Sequence, residues 1–243
     1  MKYNEFCPGG PVFLHGQGFS IGTDAVMLYG FSKNIKCKKI CDLGCGSGVI
    51  GILLACENVV ASVTGVEIQT ASAMAAGENA ELNGLSGRFR VINGDLREYR
   101  KILPAGEFDL VVMNPPYFPA GSGKTARDEA AAIARDERMC TLQDACRAAA
   151  YIIKWGGRFC MVHKPERMAE IIYTMHDSGL EPKRLRFVQH GPGSRPNLVL
   201  IEAIRGGKPG ISINAPFVLT DESGRDTPEA AALYHRDFMN QEA

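Results

Sequence analysis

The chain has 243 residues, of which 45% are hydrophobic and 22% are charged, a composition typical of a globular domain. No run of residues resembles a membrane span, and the first residues lack the apolar region of a signal peptide. Lysine and arginine together number 27, as do aspartate and glutamate, so net charge alone does not indicate a nucleic-acid partner.

The eight cysteines are more typical of reduced thiols in a cytoplasmic protein than of a metal site. Several lie within apolar runs, as Cys56 and Cys160 do, which is typical of reduced, buried thiols, so we expect a cytoplasmic protein. Cys37, Cys41 and Cys45 recur every four residues, but no CxxC pair and no nearby histidine accompany them. We therefore predict no metal site, and the five histidines show no ligand pattern either.

Strands and helices alternate along most of the sequence. The first 20 residues are predicted to be irregular, and Thr23 or Asp24 is expected to cap a short helix over 25–31. Strands are then predicted at 39–43, 62–68, 88–92, 108–113 and 158–163, and helices at 49–56, 71–83, 96–103, 141–155 and 165–177. Two last strands, 185–190 and 197–204, have no helix between them and predict an antiparallel hairpin. The fold predicted is α/β, a doubly wound, seven-stranded, mainly parallel sheet with helices on both faces.

A glycine-rich loop, Asp42-Leu-Gly-Cys-Gly-Ser-Gly48, joins the first of these strands to its helix. Glycines there permit a sharp turn and let a ligand approach the backbone at Gly44, Gly46 and Gly48. The spacing is Gly-x-Gly-x-Gly and not the Gly-x-Gly-x-x-Gly of dinucleotide enzymes, which disfavours a nicotinamide oxidoreductase. Asp42 would lie badly beside a pyrophosphate, but it could orient the ammonium group of an amino acid.

Three acids occupy the ends of successive strands: Asp42, Glu67 and Asp95. A carboxylate at Glu67 can accept both hydroxyls of a ribose, and one at Asp95 can accept an adenine amino proton. Each acid alone is as readily explained as a helix cap or a turn residue. Together they favour a ligand that is both a nucleoside and an amino acid.

The fourth predicted strand ends in Asn114-Pro-Pro-Tyr117. Both prolines restrict the backbone and donate no N–H, so the corner is stiff and displays an amide, carbonyls and an aromatic ring. Such a corner suits a flat molecule that carries an amino group, although it can also simply terminate a strand. Basic residues follow in the segment 118–140 and in the strip 183–208, and we predict that both face a nucleic acid.

These motifs resemble the class I S-adenosylmethionine-dependent methyltransferases, with their Rossmann-like fold. Asp42–Gly48 is similar to the cofactor loop, and Asn114–Tyr117 is similar to the signature of enzymes that methylate a planar nitrogen. Within that group the chain most resembles the tRNA adenine-N6 methyltransferases that modify position 37, beside the anticodon, of a valine tRNA. The similarity extends to Gly18–Leu28, Arg135–Glu137 and Leu219–Gly224, and it covers nearly the whole chain.

The resemblance implies one domain, 1–243, in which a segment 1–38 covers the cofactor site, 39–205 forms the catalytic core and 206–243 is a C-terminal tail. It implies catalytic roles for Asn114, Pro115 and Tyr117. Cofactor contacts are expected from Phe19, Thr23, Asp24, Asp42, Gly44, Gly46, Gly48, Glu67, Ile68, Asp95, Leu96 and Asn114. Substrate contacts are expected from Pro116, Tyr117, Phe118, Lys124, Arg135 and Arg195. The cofactor would be S-adenosyl-L-methionine and the partner the anticodon stem-loop of a tRNA.

Three alternatives share part of this signature. A protein glutamine methyltransferase would have the same corner and cofactor loop, usually with an added N-terminal helical domain. A ribosomal RNA adenine-N6 or guanine-N2 methyltransferase would commonly carry a larger RNA-binding extension. A non-catalytic RNA-binding module would not need the intact corner at Asn114, and a methyl-transfer assay distinguishes it.

Overall fold

A central sheet organises the part of the chain that the computed structural model describes, which is residues 3–14, 21–59, 61–115 and 140–236. Its strands are β3 (Lys39–Leu43), β4 (Ser62–Glu67), β5 (Phe89–Asn93), β6 (Phe108–Met113), β7 (Ile153–His163), β8 (Leu180–Gln189), β9 (Leu198–Arg205), β10 (Ser212–Ile213) and β11 (Phe217–Val218). Two further strands, β1 (Tyr3–Glu5) and β2 (Val12–Leu14), form a separate antiparallel pair. The helices are α1 (Thr23–Ser32), α2 (Val49–Glu57), α3 (Thr70–Leu82), α4 (Tyr99–Ile102), α5 (Leu142–Ile152), α6 (Met168–Asp177) and α7 (Pro228–Leu233).

The strand order in the central sheet is β10-β8-β9-β7-β6-β3-β4-β5, with β11 also paired to β8. Strands β5, β4, β3, β6 and β7 are mutually parallel, whereas β9 is antiparallel to both of its neighbours, β7 and β8. The predicted mainly parallel sheet and its closing antiparallel hairpin are therefore confirmed. The short strands β10 and β11 extend the hairpin by pairing parallel to β8, so the described sheet has nine strands where the sequence predicts seven.

Two hydrophobic cores cover the two faces of this sheet. One contains side chains of α1, α2, α3 and α7, and the other contains side chains of α5 and α6. Successive residues of β6 contribute alternately, so Leu110 and Val112 enter the first core while Val111 and Met113 enter the second. A strand buried on both faces needs a continuous apolar sequence, which explains the composition of this one.

The chain departs from the sequence prediction at the start of β7. The helix α5 begins with the predicted cap, where Thr141 and Asp144 form a reciprocal capping box, but it ends at Ile152 and not at Trp155. Ile153 is fully buried and pairs with Phe108 of β6, so the chain is already in the sheet there. Trp155 is 79% exposed on the strand that follows.

The N-terminal predictions also need correction. Residues 3–5 and 12–14 were expected to be irregular, yet they pair as β1 and β2. Helix α1 begins two residues earlier than expected, with Gly22 at its cap position. Thr23 and Asp24 therefore lie inside the first turn and do not cap the helix through their side chains.

Candidate active site

The carboxyl ends of β3, β4, β5 and β6 meet at one edge of the sheet. In register, Leu43 of β3 is paired with both Val66 of β4 and Met113 of β6. The chain moves from β3 outward in one direction to β4 and β5, and in the other direction to β6 and β7. Ligands of doubly wound sheets bind at such a switch point, so this edge is the candidate active site.

The glycine loop after β3 has the backbone conformation that the sequence predicted. Gly44, Gly46 and Gly48 all have positive φ, at 67°, 56° and 87°. The backbone N–H of Gly44 donates to the Val66 carbonyl at 2.8 Å, which ties the loop to β4. A side chain at Gly48 would lie 3.3 Å from Ala76, whereas nothing lies within 4 Å of the corresponding position at Gly46. The loop is thus packed on its inner side and open at Gly46, where a ligand can approach the backbone.

Asp42 is buried beneath this loop, with 1% of its surface exposed. Its Oδ2 accepts a hydrogen bond of 3.0 Å from the Gly51 N–H, and its Oδ1 has no hydrogen-bond partner among the described residues. Burial, opposed by the Gly51 bond and reinforced by the charge of Glu67, raises the pKa of Asp42 to about 7. A buried carboxylate with an unused oxygen fits a cationic group such as an ammonium.

Glu67 lies at the end of β4 with its carboxylate fixed by two backbone donors. The Gly46 N–H donates to Oε2 at 2.9 Å, and the Gln69 N–H donates to Oε1 at 2.8 Å. Each oxygen keeps a second acceptor position, which suits the two hydroxyls of a ribose. Ile68 follows with 37% of its surface exposed, so an apolar face stands beside the carboxylate.

Asp95 follows β5 as the cap of a short 3₁₀ turn, Leu96–Glu98. Its Oδ1 accepts the Arg97 N–H at 2.9 Å, and the Arg97 guanidinium binds its Oδ2 at 2.5 Å. The hydrogen bond and charge of Arg97 hold the pKa of Asp95 below its usual value. Asp95 thus acts as a cap, which is the alternative explanation that the sequence allows for each of the three acids. Its contact with an adenine amino group stays a prediction. Leu96 is buried next to it.

Asn114 and Pro115 stand directly after β6 at the same edge. Because Met113 is paired with Leu43, Asn114 comes level with Gly44, the first residue of the glycine loop. Asn114 is half-buried and Pro115 is buried. The arrangement puts the amide-bearing corner beside the glycine loop.

The remaining predicted residues divide into those that the structure places and those that it does not describe. Thr23 and Asp24 lie in the first turn of α1, where the Asp24 carboxylate accepts the Ala25 N–H at 3.1 Å. Arg195 is exposed in the loop between β8 and β9. Strands β7 and β8 are both antiparallel to β9, so this loop lies at the same edge as Asn114. Outside the described residues lie Phe19, Pro116, Tyr117, Phe118, Lys124 and Arg135, with most of the segment 118–140.

The basic strip 183–208 is not a free cationic face. Arg184 binds the buried carboxylate of Glu202, which also binds Arg158 of β7. Arg186 forms two hydrogen bonds, of 2.6 and 2.7 Å, with Glu229. Lys183 donates to backbone carbonyls, as does Arg205. Most of the positive charge in the strip is therefore bonded within the fold, and Arg195 is its exposed member at the active-site edge.

Two residues at the site, His163 and Asn79, are not among the site residues that the sequence predicts. His163 ends β7 two residues beyond Met161, which is paired with Met113, so it lies level with Pro115. It is 1% exposed, it accepts the Lys164 N–H at 2.7 Å, and burial is the main cause that lowers its pKa to about 4.

The second of these residues is Asn79 of α3, which donates to the Ser47 carbonyl of the glycine loop at 3.0 Å. Only its spacing from Asn83, one helical turn later, could have drawn attention to it.

The described residues contain no group of three or more histidine, cysteine or acidic side chains that could hold a metal ion. All eight cysteines are free thiols, and burial raises the pKa of Cys146 to about 12. Across residues 3–14, 21–59, 61–115 and 140–236, none of the helices is long and apolar enough to cross a membrane.

Known proteins resemble this chain in sequence and in structure. The methyltransferase small domain family matches residues 5–172. A tRNA1(Val) (adenine(37)-N6)-methyltransferase of Yersinia pseudotuberculosis is 27% identical over 221 residues, which are 90% of this chain and 86% of that one. A predicted O-methyltransferase, Atu636 of Agrobacterium tumefaciens, superposes with a TM-score of 0.71 at 24% identity, covering 88% of this chain and 96% of that one.

A geranyl diphosphate methyltransferase in complex with S-adenosylmethionine has the same fold, with a TM-score of 0.53, 15% identity and coverage of 74% and 84% of the two chains. Identities this low show the fold alone. The family match covers well over half of the sequence, and the buried Asp42 and the open glycine loop fit an amino-acid-bearing nucleoside. The chain belongs to the methyltransferase small-domain family and is a class I methyltransferase whose cofactor is S-adenosyl-L-methionine.

Proposed function

We propose that this chain methylates the exocyclic N6 amine of an adenine in tRNA, and that the adenine is the one at position 37, beside the anticodon of a valine tRNA. The observation that carries the proposal is the position of Asn114, at the end of β6 and level with the glycine loop. The name of the Yersinia relative, which aligns with 90% of this chain, supports the tRNA substrate.

The cofactor contacts that we propose follow the strand ends. Asp42 would hold the ammonium group, Glu67 the ribose hydroxyls, and Ile68 with Leu96 the faces of the adenine. The loop glycines would lie against the ligand through their backbone, and Asp95 would accept the adenine amino group. Phe19, Thr23 and Asp24 would cover the methionine end. When bound, the cofactor supplies a methyl group on a sulfonium, which is already activated for transfer.

The difficulty of the reaction lies in the nucleophile, because an exocyclic amine shares its lone pair with the ring. The Oδ1 of Asn114 and the carbonyl of Pro115 can each accept one N–H of the amine and turn its lone pair out of the ring plane. The residue after Pro115 is also a proline. Because that proline has no N–H, it cannot donate a hydrogen bond to the Pro115 carbonyl, which stays available as an acceptor. This is catalysis by positioning and by preorganised acceptors and not by a strong base.

Stacking and charge would hold the rest of the substrate. Tyr117 would stack on the target base, which contributes roughly 1–3 kcal/mol per base, and Pro116 and Phe118 would border it. A base in a loop is extruded at lower cost than a base in a duplex. Lys124, Arg135 and Arg195 would bind phosphates, so RNA affinity should fall steeply with salt.

The proposal is tested by methyl transfer to unmodified tRNA, followed by digestion to nucleosides that identifies the product. N6-methyladenosine is expected from the valine tRNA. Methylated guanosine, methylation of ribosomal RNA alone, or methylation of a glutamine side chain would each overturn the substrate.

Asn114→Ala tests the catalytic role separately. It should lower turnover by about a hundredfold or more, as loss of one preorganised polar contact does in other enzymes, and it should change cofactor affinity far less, although Asn114 is also an expected cofactor contact. The control is Asn34→Ala, which removes an exposed asparagine after α1 and should leave turnover unchanged. Near-normal turnover of Asn114→Ala would contradict the assignment.

A further inference from the structure

Two asparagines on α3 are bonded to elements far away in the sequence. Asn79 is 1% exposed, and Asn83 lies one turn later and is half-buried. Asn79 contacts both the glycine loop and the N-terminal strand pair, and Asn83 contacts the strand pair. The chemistry proposed above uses neither of them.

Asn79 holds the glycine loop from below. Its Nδ2 donates to the carbonyl of Ser47 at 3.0 Å, within the run between Gly46 and Gly48 that approaches the cofactor. The same helix supports the loop one turn earlier, where Ala76 packs against Gly48. A peptide carbonyl bonded from beneath has a fixed orientation, so the Gly48 N–H of the same peptide, which donates to the Cys45 carbonyl at 2.8 Å, is oriented as well.

The other half of the Asn79 carboxamide binds the N-terminal strand β2. Its Oδ1 accepts the Leu14 N–H at 2.8 Å. Asn83 binds Val12, two residues away on the same edge of the strand, with its Oδ1 2.9 Å from the Val12 nitrogen and its Nδ2 2.7 Å from the Val12 oxygen. The two side chains therefore pair with β2 much as a neighbouring strand would.

We propose that Asn79 is a positioning residue for the cofactor, because one carboxamide sets the glycine loop and the N-terminal strand pair relative to each other. Leu14 is joined through residues 15–22 to the first turn of α1, which contains Thr23 and Asp24. The position of Leu14 thus fixes one end of the segment that connects β2 to α1. The Asn79 carboxamide therefore contacts both the glycine loop and the strand from which the chain continues to that turn.

Asn79→Asp separates the two bonds of the carboxamide. The carboxylate still accepts the Leu14 N–H, but it cannot donate to Ser47 and instead opposes that carbonyl. The matched control is Asn83→Asp, which keeps the acceptor for the Val12 N–H, loses the donor to the carbonyls of Val12 and Asn79, and has no bond to the glycine loop.

The readout is the dissociation constant of S-adenosyl-L-methionine, measured by calorimetry beside urea unfolding. Asn79→Asp should weaken binding by at least about tenfold, the effect expected from one buried hydrogen bond. Asn83→Asp should lower stability while the dissociation constant stays within about twofold. Equal effects of the two variants on binding, or no effect of Asn79→Asp, would overturn the proposal.

The unmodified protein offers a second measurement in case Asn79→Asp fails to fold. If Asn79 couples the two elements, the cofactor should slow hydrogen exchange at the Leu14 amide as well as at Gly46. Protection confined to the glycine loop would overturn the coupling. Because both experiments follow cofactor binding, they succeed or fail independently of whether tRNA is the substrate.

Discussion

The buried Asp42 makes the stability of the cofactor-free protein depend on pH in a direction that is unusual for an acid. Burial raises its pKa from 3.8 to about 7, a difference of about 3 units. Each unit corresponds to 1.36 kcal/mol, so the full effect is about 4 kcal/mol. The substitution that exposes this effect is Asp42→Asn, which has the same shape and can keep the acceptor for the Gly51 N–H.

The sign follows from where the proton resides. Between the two pKa values the unfolded chain has released its proton and the folded chain has kept it, so the free energy of unfolding falls as pH rises. The loss begins near the unfolded pKa and ends once pH exceeds about 7. A carboxamide cannot ionise, so the Asp42→Asn variant should lack this part of the slope.

Urea unfolding of both proteins at a series of pH values measures the effect. From about pH 5 to pH 8, the stability of Asp42→Asn relative to the unmodified protein should rise by about 3 kcal/mol. Other titrating groups cancel in this difference. A difference that stays constant with pH, or that falls, would refute the assignment of a raised pKa to Asp42.

The proposed contact of the same carboxylate with the cofactor's ammonium group should make cofactor binding sensitive to pH. An ammonium group beside Asp42 favours the ionised form, so binding should release a proton near neutral pH and weaken as pH falls below about 7. Calorimetry in two buffers with different ionisation enthalpies detects that proton. Asp42→Asn should bind more weakly and release none.

The remaining predictions concern one residue each. Gly48→Ala should destabilise the protein by about 1–3 kcal/mol, measured by urea unfolding, because it puts a side chain in the left-handed region and 3.2 Å from Ile52; unchanged stability would show that the loop relaxes freely. Glu202→Gln should cost about 1.5–3 kcal/mol in the same assay, because it removes the buried charge that binds Arg158 and Arg184 but leaves two arginines that solvent still reaches; a cost below about 0.5 kcal/mol, typical of a surface substitution, would contradict that. Arg195→Gln should weaken RNA binding and lower its salt dependence by about one phosphate contact without changing cofactor affinity, as a salt titration would show; an unaltered salt slope would remove Arg195 from the RNA surface.

Local patterns in the sequence were sufficient for the sheet but not for its boundaries. The alternation of apolar runs and glycine stops predicted β3 to β9 in order. The run Tyr151-Ile-Ile-Lys-Trp155 is as apolar as the helix before it, so nothing local marks the change at Ile153. What ends α5 there is pairing with Phe108, more than 40 residues earlier in the chain, and such a contact leaves no trace in a local pattern.

The candidate site divides in the same way. The residue types at the strand ends could be predicted, since Asp42, Glu67 and Asn114 each follow a recognisable strand. Their partners could not, because the Gly46 N–H on Glu67 and the Asn79 bond to Ser47 join segments that only the fold brings together. His163 shows the limit, since a histidine acquires its environment entirely from the packing around it.

The position of β9 in the sheet has a consequence for how the protein is made. Strand β9 comes last of the long strands in the chain, yet it lies between β7 and β8. A nascent chain that has not reached residue 198 therefore leaves one edge of β7 without a partner, and an unpaired edge readily joins another chain. We expect completion of the sheet to wait until Arg205 has been synthesised and the β8–β9 hairpin docks on β7 as a unit. Fragments that extend past Tyr117 but end before this point should aggregate, although they contain every residue of the cofactor loop and the Asn114 corner.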